Sequence, residues 1–229
     1  MKNSKITTTL IALLLVCTQA FAQDEETRDL RAFSEIRVSE GIELIAEKGS
    51  ENKIEIQVDF IDLDDVVTEV QGDRLHVHLE RGRYKRKRIK AFLTYTDEIE
   101  EINVNTAAEV IFKDIIKTRS LEIKASTSGF VELIVEVERL TVSASTSGRV
   151  DARGETDEIS ASASTGGTIY AYDVEALEGR AKANTGADVR MSVEDYLQAS
   201  AGTGGTVKYK GRPRTDVRTN TGGSVRRTN

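Results

Sequence analysis

The densest cluster of charge in the sequence is a run of cations that separates two apolar segments. Seven Lys and Arg residues fall within ten positions: Arg81, Arg83, Lys85, Arg86, Lys87, Arg88 and Lys90. Such a cluster can hold anionic glycans, lipid headgroups or phosphate groups. It is also typical of a solvated hairpin tip in a chain of net charge −6. We favour the solvated tip and retain the seven residues as weak ligand-binding candidates.

The two histidines of the chain, His76 and His78, stand two positions apart in an alternating apolar segment. Side chains at this spacing point to the same side of a strand, so both imidazoles could share a metal ion. A zinc site needs three or four protein ligands, and the sequence indicates no third one. The acidic clusters at residues 62–65 and 98–101 lack the glycine and the spacing of a calcium loop. We therefore predict exposed strand histidines, no metal site and no cofactor.

The sequence indicates no catalytic residues. Ser126, Ser145 and Ser164 recur in a repeat that contains no histidine to activate them. Polysaccharide lyases and hydrolases built on parallel β-helices need carboxylates on neighbouring coils, whereas the outward positions of this repeat hold Ser, Lys, Asn and Gly. We predict a protein that is not an enzyme, with a carbohydrate-active enzyme as an alternative. The excess of acidic over basic residues, 38 against 32, disfavours nucleic acid as a partner.

A short motif recurs through the second half of the chain. Each copy centres on a threonine, and the copies are 18 to 21 residues apart: Thr106, Thr127, Thr146, Thr165, Thr185, Thr203 and Thr221. The residue two positions after each threonine is always Gly or Ala, which indicates a sharp bend or a close backbone approach. A fixed period of this length is typical of solenoids.

Apolar and polar residues alternate around each threonine. A β-branched residue stands four positions after every one: Val110, Val131, Val150, Ile169, Val189, Val207 and Val225. Period-two alternation predicts strands with one buried face. The predicted fold class is therefore all-β, a single-domain, right-handed parallel β-helix with about 20 residues per coil. The alternation leaves open whether the threonines point inward or line the bend.

The first half of the chain keeps the alternation but lacks the motif. We predict that residues 33–99 form irregular first coils of the same domain, ahead of regular coils in residues 100–229. Gly41 and the residues before it resemble the approach to the later bends. The charged residues 23–32 are predicted to be a flexible lead. Because solenoid ends expose unpaired strand edges, we also predict homo-oligomers that form through these ends.

Residues 1–22 have the composition of a cleavable secretory signal. A basic start precedes an apolar core at residues 10–16, and an Ala-x-Ala site ends at Ala22. Cleavage there would remove Cys17, the single cysteine, and with it any disulfide. No later apolar segment approaches the roughly 20 residues of a membrane span. We therefore predict an exported protein without a membrane span.

These features together resemble the bacterial family described as putative auto-transporter adhesin, head GIN domain. The resemblance rests on the signal before Gln23, on the segment FSEIRV at residues 33–38 with Gly41-Ile42 after it, and on the Asn/Ser-Thr-Gly-Gly bends. It covers residues 28–227. The asparagine of the Gly-Ile-Asn label is Glu43 in this chain.

The resemblance implies a parallel β-helix that a Gram-negative bacterium of the Bacteroidetes exports to its periplasm or cell surface. It also implies an adhesion or binding role. We accordingly expect an adhesin-like or envelope-binding module whose partner is a polysaccharide or another anionic component of the cell envelope. A structural envelope protein without a specific ligand is the alternative expectation.

Overall fold

A computed structural model of the chain describes residues 24–82 and 84–228. The predicted secretory signal and Arg83 lie outside the described residues. In the described part, 16 strands form one continuous sheet, and one short 3-10 helix, Leu63–Asp65, lies outside it. No helix among these residues is long and apolar enough to cross a membrane.

The strands fall into an irregular and a regular part. The irregular part contains β1 (Asp24–Asp29), β2 (Glu35–Val38), β3 (Glu43–Lys48), β4 (Lys53–Asp59), β5 (Val66–Gln71), β6 (Arg74–Leu79), β7 (Arg88–Tyr95) and β8 (Glu101–Val104). The regular part contains β9 (Glu109–Ser126), β10 (Phe130–Ser145), β11 (Arg149–Ala163), β12 (Thr168–Asn184), β13 (Asp188–Gly202), β14 (Thr206–Lys210), β15 (Arg214–Thr219) and β16 (Ser224–Arg227).

Strands β9 to β13 lie parallel to one another, and each forms most of one coil. Their register places equivalent residues side by side, so that Val150 pairs with Val131 on one coil and with Ile169 on the next. The chain forms a single β-solenoid of about 7 turns whose repeats are about 19 residues apart. The predicted single β-solenoid is confirmed.

The β-branched column predicted from the repeat lies at the centre of the core. Six of its members are 0% exposed: Val110, Val131, Val150, Ile169, Val189 and Val207. A second buried column consists of alanines: Ala125, Ala144, Ala163, Ala183 and Ala201. Burial of each valine contributes about 1.5–3 kcal/mol. The alanines keep the cross-section thin, because small side chains let the facing strands of a coil approach closely.

Each bend is a tight turn with two residues in the left-handed region. At one bend φ is +48° for Thr127 and +62° for Ser128, and the amide of Gly129 donates to the carbonyl of Ser126 at 2.8 Å. These are the features of a type I′ turn. The amide of Ser128 also donates to the carbonyl of Thr146 at 3.0 Å, so each turn is bonded to the turn of the next coil.

This turn-to-turn bond recurs along the whole solenoid. Donor–acceptor distances of 2.9–3.1 Å join the amides of Gly41, Ala107, Ser128, Ser147, Gly166, Gly186 and Gly204 to the carbonyls of the seven repeat threonines in order. The threonine side chains are exposed along the bend, which answers the question that the alternation left open. The first coil shares the turn geometry through Gly41, as its sequence indicated.

The close approach predicted after each bend is present. A Cβ on Gly148 would lie 2.2 Å from the carbonyl oxygen of Ala125 on the previous coil. Ala108 and Ala187 occupy the same position in other turns, and there the bond that closes the turn is 3.2 Å long, compared with 2.8 Å at Gly148. The turn therefore accepts a methyl group only by loosening.

Antiparallel strands lie at the N-terminal end. β2 pairs in parallel with β6 and β8, and β3 pairs in parallel with β7 and β9. β5 then pairs antiparallel with β6, and β4 pairs antiparallel with β7. The irregular part thus combines parallel coils with antiparallel strands, β4 and β5, that pair with the outer sides of β7 and β6.

The prediction of a flexible lead is wrong for residues 24–29. These residues form β1, which pairs antiparallel with β4 through six residue pairs. Arg28 fastens the strand by donating to the backbone carbonyls of Leu63 and Val66. The charged composition suggested a flexible segment, but pairing with the open edge of β4 uses backbone groups, which a residue of any side-chain type provides.

Gly154 provides a test of how tightly the coils pack. Its φ is +117°, and a Cβ there would lie 1.9 Å from the carbonyl oxygen of Val135. We expect Gly154→Ala to lower the free energy of unfolding by about 3 kcal/mol or more, because backbone strain and overlap add. Chemical denaturation measures this loss.

Gly186→Ala is the matched control for that measurement. Gly186 has a φ of +71°, and no atom lies within 4 Å of the position that a methyl group would take there, so only the left-handed backbone cost of about 1 kcal/mol applies. Equal losses in the two variants would contradict the packing described for Gly154.

Candidate functional site

The predicted cations lie where the chain passes from β6 to β7, near the N-terminal end of the solenoid. β6 ends at Leu79 and β7 begins at Arg88. We call residues 81–90 the basic segment; it covers the connection and the start of β7. Arg83 lies outside the described residues, and Lys90 is the half-buried member of the six cations that are described.

Two of the predicted ligand-binding residues attach the segment to the first coil. Lys87 Nζ donates to the carbonyl oxygen of Glu40 at 2.6 Å, and the Lys87 side chain lies against Gly41. Lys90 forms an ion pair with Glu43 at 3.3 Å. These contacts position the segment rather than leave the two lysines open to a ligand.

Four cations of the basic segment face solvent without an ion-pair partner in the described part of the chain: Arg81, Lys85, Arg86 and Arg88. Because none of the four is held in an ion pair there, their charges are available to an anionic ligand. We call them the four free cations.

A groove of about 860 Å³ adjoins the basic segment. Lys85 and Arg86 contribute to its wall together with Tyr84. The Tyr84 hydroxyl lies 3.2 Å from Asp65 Oδ1, which ties the basic segment to the 3-10 helix. The remaining lining residues are Asp24, Phe60, Ile61, Asp62 and Asp65. The groove therefore offers cations, carboxylates and an aromatic ring together.

Phe60 is the residue of this groove that sequence reasoning missed. Its side chain is 74% exposed, and its φ of +70° is rare for an aromatic residue. The alternation of Ile54, Ile56 and Val58 would place Phe60 in the core as well, but the chain leaves the strand at this point. An exposed ring held in a costly conformation is typical of a binding surface.

A second surface of aromatic and cationic side chains runs along the regular coils. The guanidinium of Arg149 lies 5.5 Å from the ring centre of Phe130 and 4.6 Å from that of Tyr170. Arg190 covers Tyr170 at 4.4 Å. Because the guanidinium groups of Arg149 and Arg190 cover the faces of these rings, cation–π contacts within the protein stabilise this surface.

The two predicted strand histidines lie on the outer side of β6, with ring centroids 4.1 Å apart. Burial is the main cause that lowers the pKa of His76, and the nearby positive charges of His78 and Arg37 lower it further. The structure adds a third group that sequence reasoning missed, since Glu69 on β5 lies opposite His76. The turn signal at Gly72 could have found it, because a two-residue hairpin turn there fixes that pairing.

Carboxylates do stack on neighbouring coils, contrary to the expectation from the repeat. The return segments bring Glu136, Glu155 and Glu175 into one register, with Lys117 paired to Glu136. The sequence argument considered only the positions around the threonines. All three glutamates are exposed and form a charged surface stripe.

A sequence profile of one family matches most of the chain. The family is described as putative auto-transporter adhesin, head GIN domain, and the match covers residues 32–213. The chain belongs to this family. The resemblance inferred from the bends and from the first coil is thereby confirmed. No curated protein matches the sequence.

Solved structures from the Bacteroidetes share the fold of this family member. A putative adhesin from Bacteroides fragilis superposes with a TM-score of 0.77 at 17% identity, over 90% of this chain and 97% of that one. A putative lipid binding protein from Parabacteroides distasonis gives 0.72 at 20% identity, over 90% and 97%. A putative adhesin from Parabacteroides merdae gives 0.68 at 18% identity, over 90% and 96%. These likenesses establish the fold alone.

Asp188 links two coils of the solenoid, β13 and β14, and makes the stability of this contact depend on pH. Burial alone would raise the pKa of Asp188, but hydrogen bonds from Arg190 at 2.8 Å and Lys208 at 3.0 Å outweigh it and hold that pKa below its usual range. A carboxylate with a lowered pKa stabilises the fold above its unfolded pKa of about 3.9 and loses this effect as the pH falls through its folded pKa.

We expect Asp188→Asn to lower the free energy of unfolding by about 1 kcal/mol at pH 7. The difference between variant and parent should persist down to about pH 5 and shrink below about pH 4, as the parent carboxylate takes up a proton. Denaturation curves at several pH values measure it. A difference that stays constant down to pH 3 would show that the ion pairs of Asp188 do not carry the effect.

Proposed function

We propose that this protein is an exported, adhesin-like binding module that recognises an anionic polysaccharide of a cell envelope. The observation that carries the proposal is the groove in which exposed Phe60 lies beside Lys85 and Arg86. Family membership supports an adhesin-like role. The basic segment and the groove together would form the binding surface.

The chemistry of the groove fits a charged sugar better than a bare anion. The face of Phe60 can stack against the apolar face of a sugar ring. Asp24 and Asp62 can accept hydrogen bonds from hydroxyl groups, and Lys85 and Arg86 can pair with a carboxylate or phosphate substituent. An isolated phosphate would use the cations alone and would leave Phe60 and the carboxylates without a partner.

Export to the periplasm or cell surface is part of the proposal. It rests on the secretory signal predicted at residues 1–22, which lie outside the described residues, and on family membership. The exposed strands of the last coil support a second part, association with another copy. Val217 on β15 is 45% exposed, and exposed strand edges can pair with a second chain.

Removal of the four free cations tests the proposal. We expect the combined change of Arg81, Lys85, Arg86 and Arg88 to Ser to weaken binding to purified lipopolysaccharide or to an acidic polysaccharide by about thirtyfold. The estimate takes about 0.5 kcal/mol for each exposed charge pair, or about 2 kcal/mol in all. Affinity should also fall as salt is added. Surface plasmon resonance with the purified protein measures both effects.

A control with the same change in net charge distinguishes a site from general attraction. Lys113, Arg139, Lys182 and Arg212 are also exposed and lie away from the groove. Their combined change to Ser should leave the affinity within about twofold, whereas an equal loss in both variants would overturn the site. Binding to vesicles with phosphate headgroups would indicate a lipid phosphate as the ligand. Binding to neutral dextran would indicate an uncharged glycan rather than the acidic polysaccharide.

The remaining outcomes discriminate the alternatives. Absence of saturable binding in the parent protein would favour a structural envelope protein without a specific ligand. Appearance of shorter sugar chains during the incubation would show a carbohydrate-active enzyme. The exposed glutamate stripe at Glu136, Glu155 and Glu175 would then be the first place to substitute.

A further inference from the structure

The hairpin formed by β5 and β6 brings together three side chains with metal-binding groups. Gly72 begins the turn with a φ of +60°, and the antiparallel register that follows pairs Glu69 with His76. His78 lies two residues further along β6, on the same side of the strand as His76. A two-residue turn fixes this register. The pairing of β5 with β6 therefore places all three side chains on the outer surface of the hairpin.

The distances between the three groups suit a shared ion. Glu69 Oε1 lies 3.9 Å from His76 Nδ1 and 3.8 Å from His78 Nε2, and the three ligand atoms all lie within 4.8 Å of one another. Ligand atoms on a tetrahedral zinc ion with bonds of about 2.1 Å are about 3.4 Å apart. Small side-chain rotations would therefore close the cluster around an ion.

A backbone contact orients one of the imidazole rings for this role. Nδ1 of His78 lies 2.8 Å from the carbonyl oxygen of Leu79. A carbonyl oxygen can only accept, so Nδ1 carries the proton and donates it, and Nε2 is left with a free lone pair. That lone pair belongs to the nitrogen that lies next to Glu69. Histidines that bind metals are commonly held in this way, with the second ring nitrogen bonded to a carbonyl.

The cluster is accessible and its surroundings are of mixed charge. The side chains of His76, His78 and Glu69 are 27%, 25% and 41% exposed, so an ion can enter and a water molecule can complete its coordination. Arg37 on β2 lies opposite His76 and opposes a cation. Glu40, whose carboxylate accepts from the amide of Leu79 at 2.7 Å, adds a negative charge nearby.

We propose that Glu69, His76 and His78 form a binding site for a divalent transition-metal ion, with zinc as the ion. Two imidazoles and one carboxylate are a donor set that zinc accepts, with a fourth position open to water or to a ligand. Calcium and magnesium prefer oxygen ligands throughout and do not fit this set. Among residues 24–82 and 84–228, no other group of three His, Cys, Asp or Glu side chains meets the same distance condition.

Isothermal titration of the metal-free, purified protein with zinc chloride tests the site. We expect one zinc ion per chain, and we expect His76→Ala, His78→Ala and Glu69→Gln each to weaken binding at least about tenfold, as loss of even a supporting group does at metal sites. Glu155→Gln is the matched control: it removes an exposed carboxylate from a regular coil and should leave the zinc affinity unchanged. Calcium chloride should give no comparable binding.

Imidazole NMR signals give a second readout that depends on the site itself. The chain has two histidines, so all ring signals of the protein come from His76 and His78, and zinc should shift both sets together at one equivalent. Far-UV circular dichroism confirms that each variant is folded. The proposal is overturned if zinc leaves the ring signals unmoved, or if the Glu155→Gln variant loses as much affinity as Glu69→Gln.

Discussion

The hydrogen bond between successive turns is the interaction on which the rest of the solenoid depends. In seven successive turns, from Gly41 to Gly204, an amide of the bend donates to the threonine carbonyl of the following coil, and both central residues of the bend have positive φ. A threonine in this backbone region is disfavoured by about 1–2 kcal/mol, so each turn needs its neighbours to hold it. The coils consequently stabilise one another, as expected for a fold whose repeats contact only adjacent repeats.

Alignment of the turns also decides what the two sides of each strand present. Inside, it stacks valine on valine and alanine on alanine. Outside, it brings Arg149 between Phe130 and Tyr170 and places Glu136 beside Glu155. The regular coils therefore pair many of their own charges and cover their own rings. The groove and the histidine cluster lie instead in the irregular part, where loops and hairpins escape the repeat.

The repeat made the fold predictable because the same pattern marks each of the regular coils. Period-two alternation identified the inward columns, and the small residue after each threonine identified the close approach at Gly148. The four free cations were also evident as a run of charge. Phe60 and Glu69 were not, because their positions depend on where β4 ends and on how β5 pairs with β6. The strand at residues 24–29 was not predicted for a related reason, since the edge of a sheet can bond to the backbone of a segment regardless of its side-chain composition.

Identical turns also make the length of this molecule adjustable in whole units. Loss or duplication of one segment of about 19 residues would leave every remaining turn-to-turn bond with a partner of the same kind. Each such segment adds about 4.8 Å along the axis, the spacing between neighbouring strands. Because the groove beside Phe60 belongs to the N-terminal part, recombination within the regular coils would change only how far that groove stands from the opposite end. The number of regular coils can thus change without altering the surface of the N-terminal part.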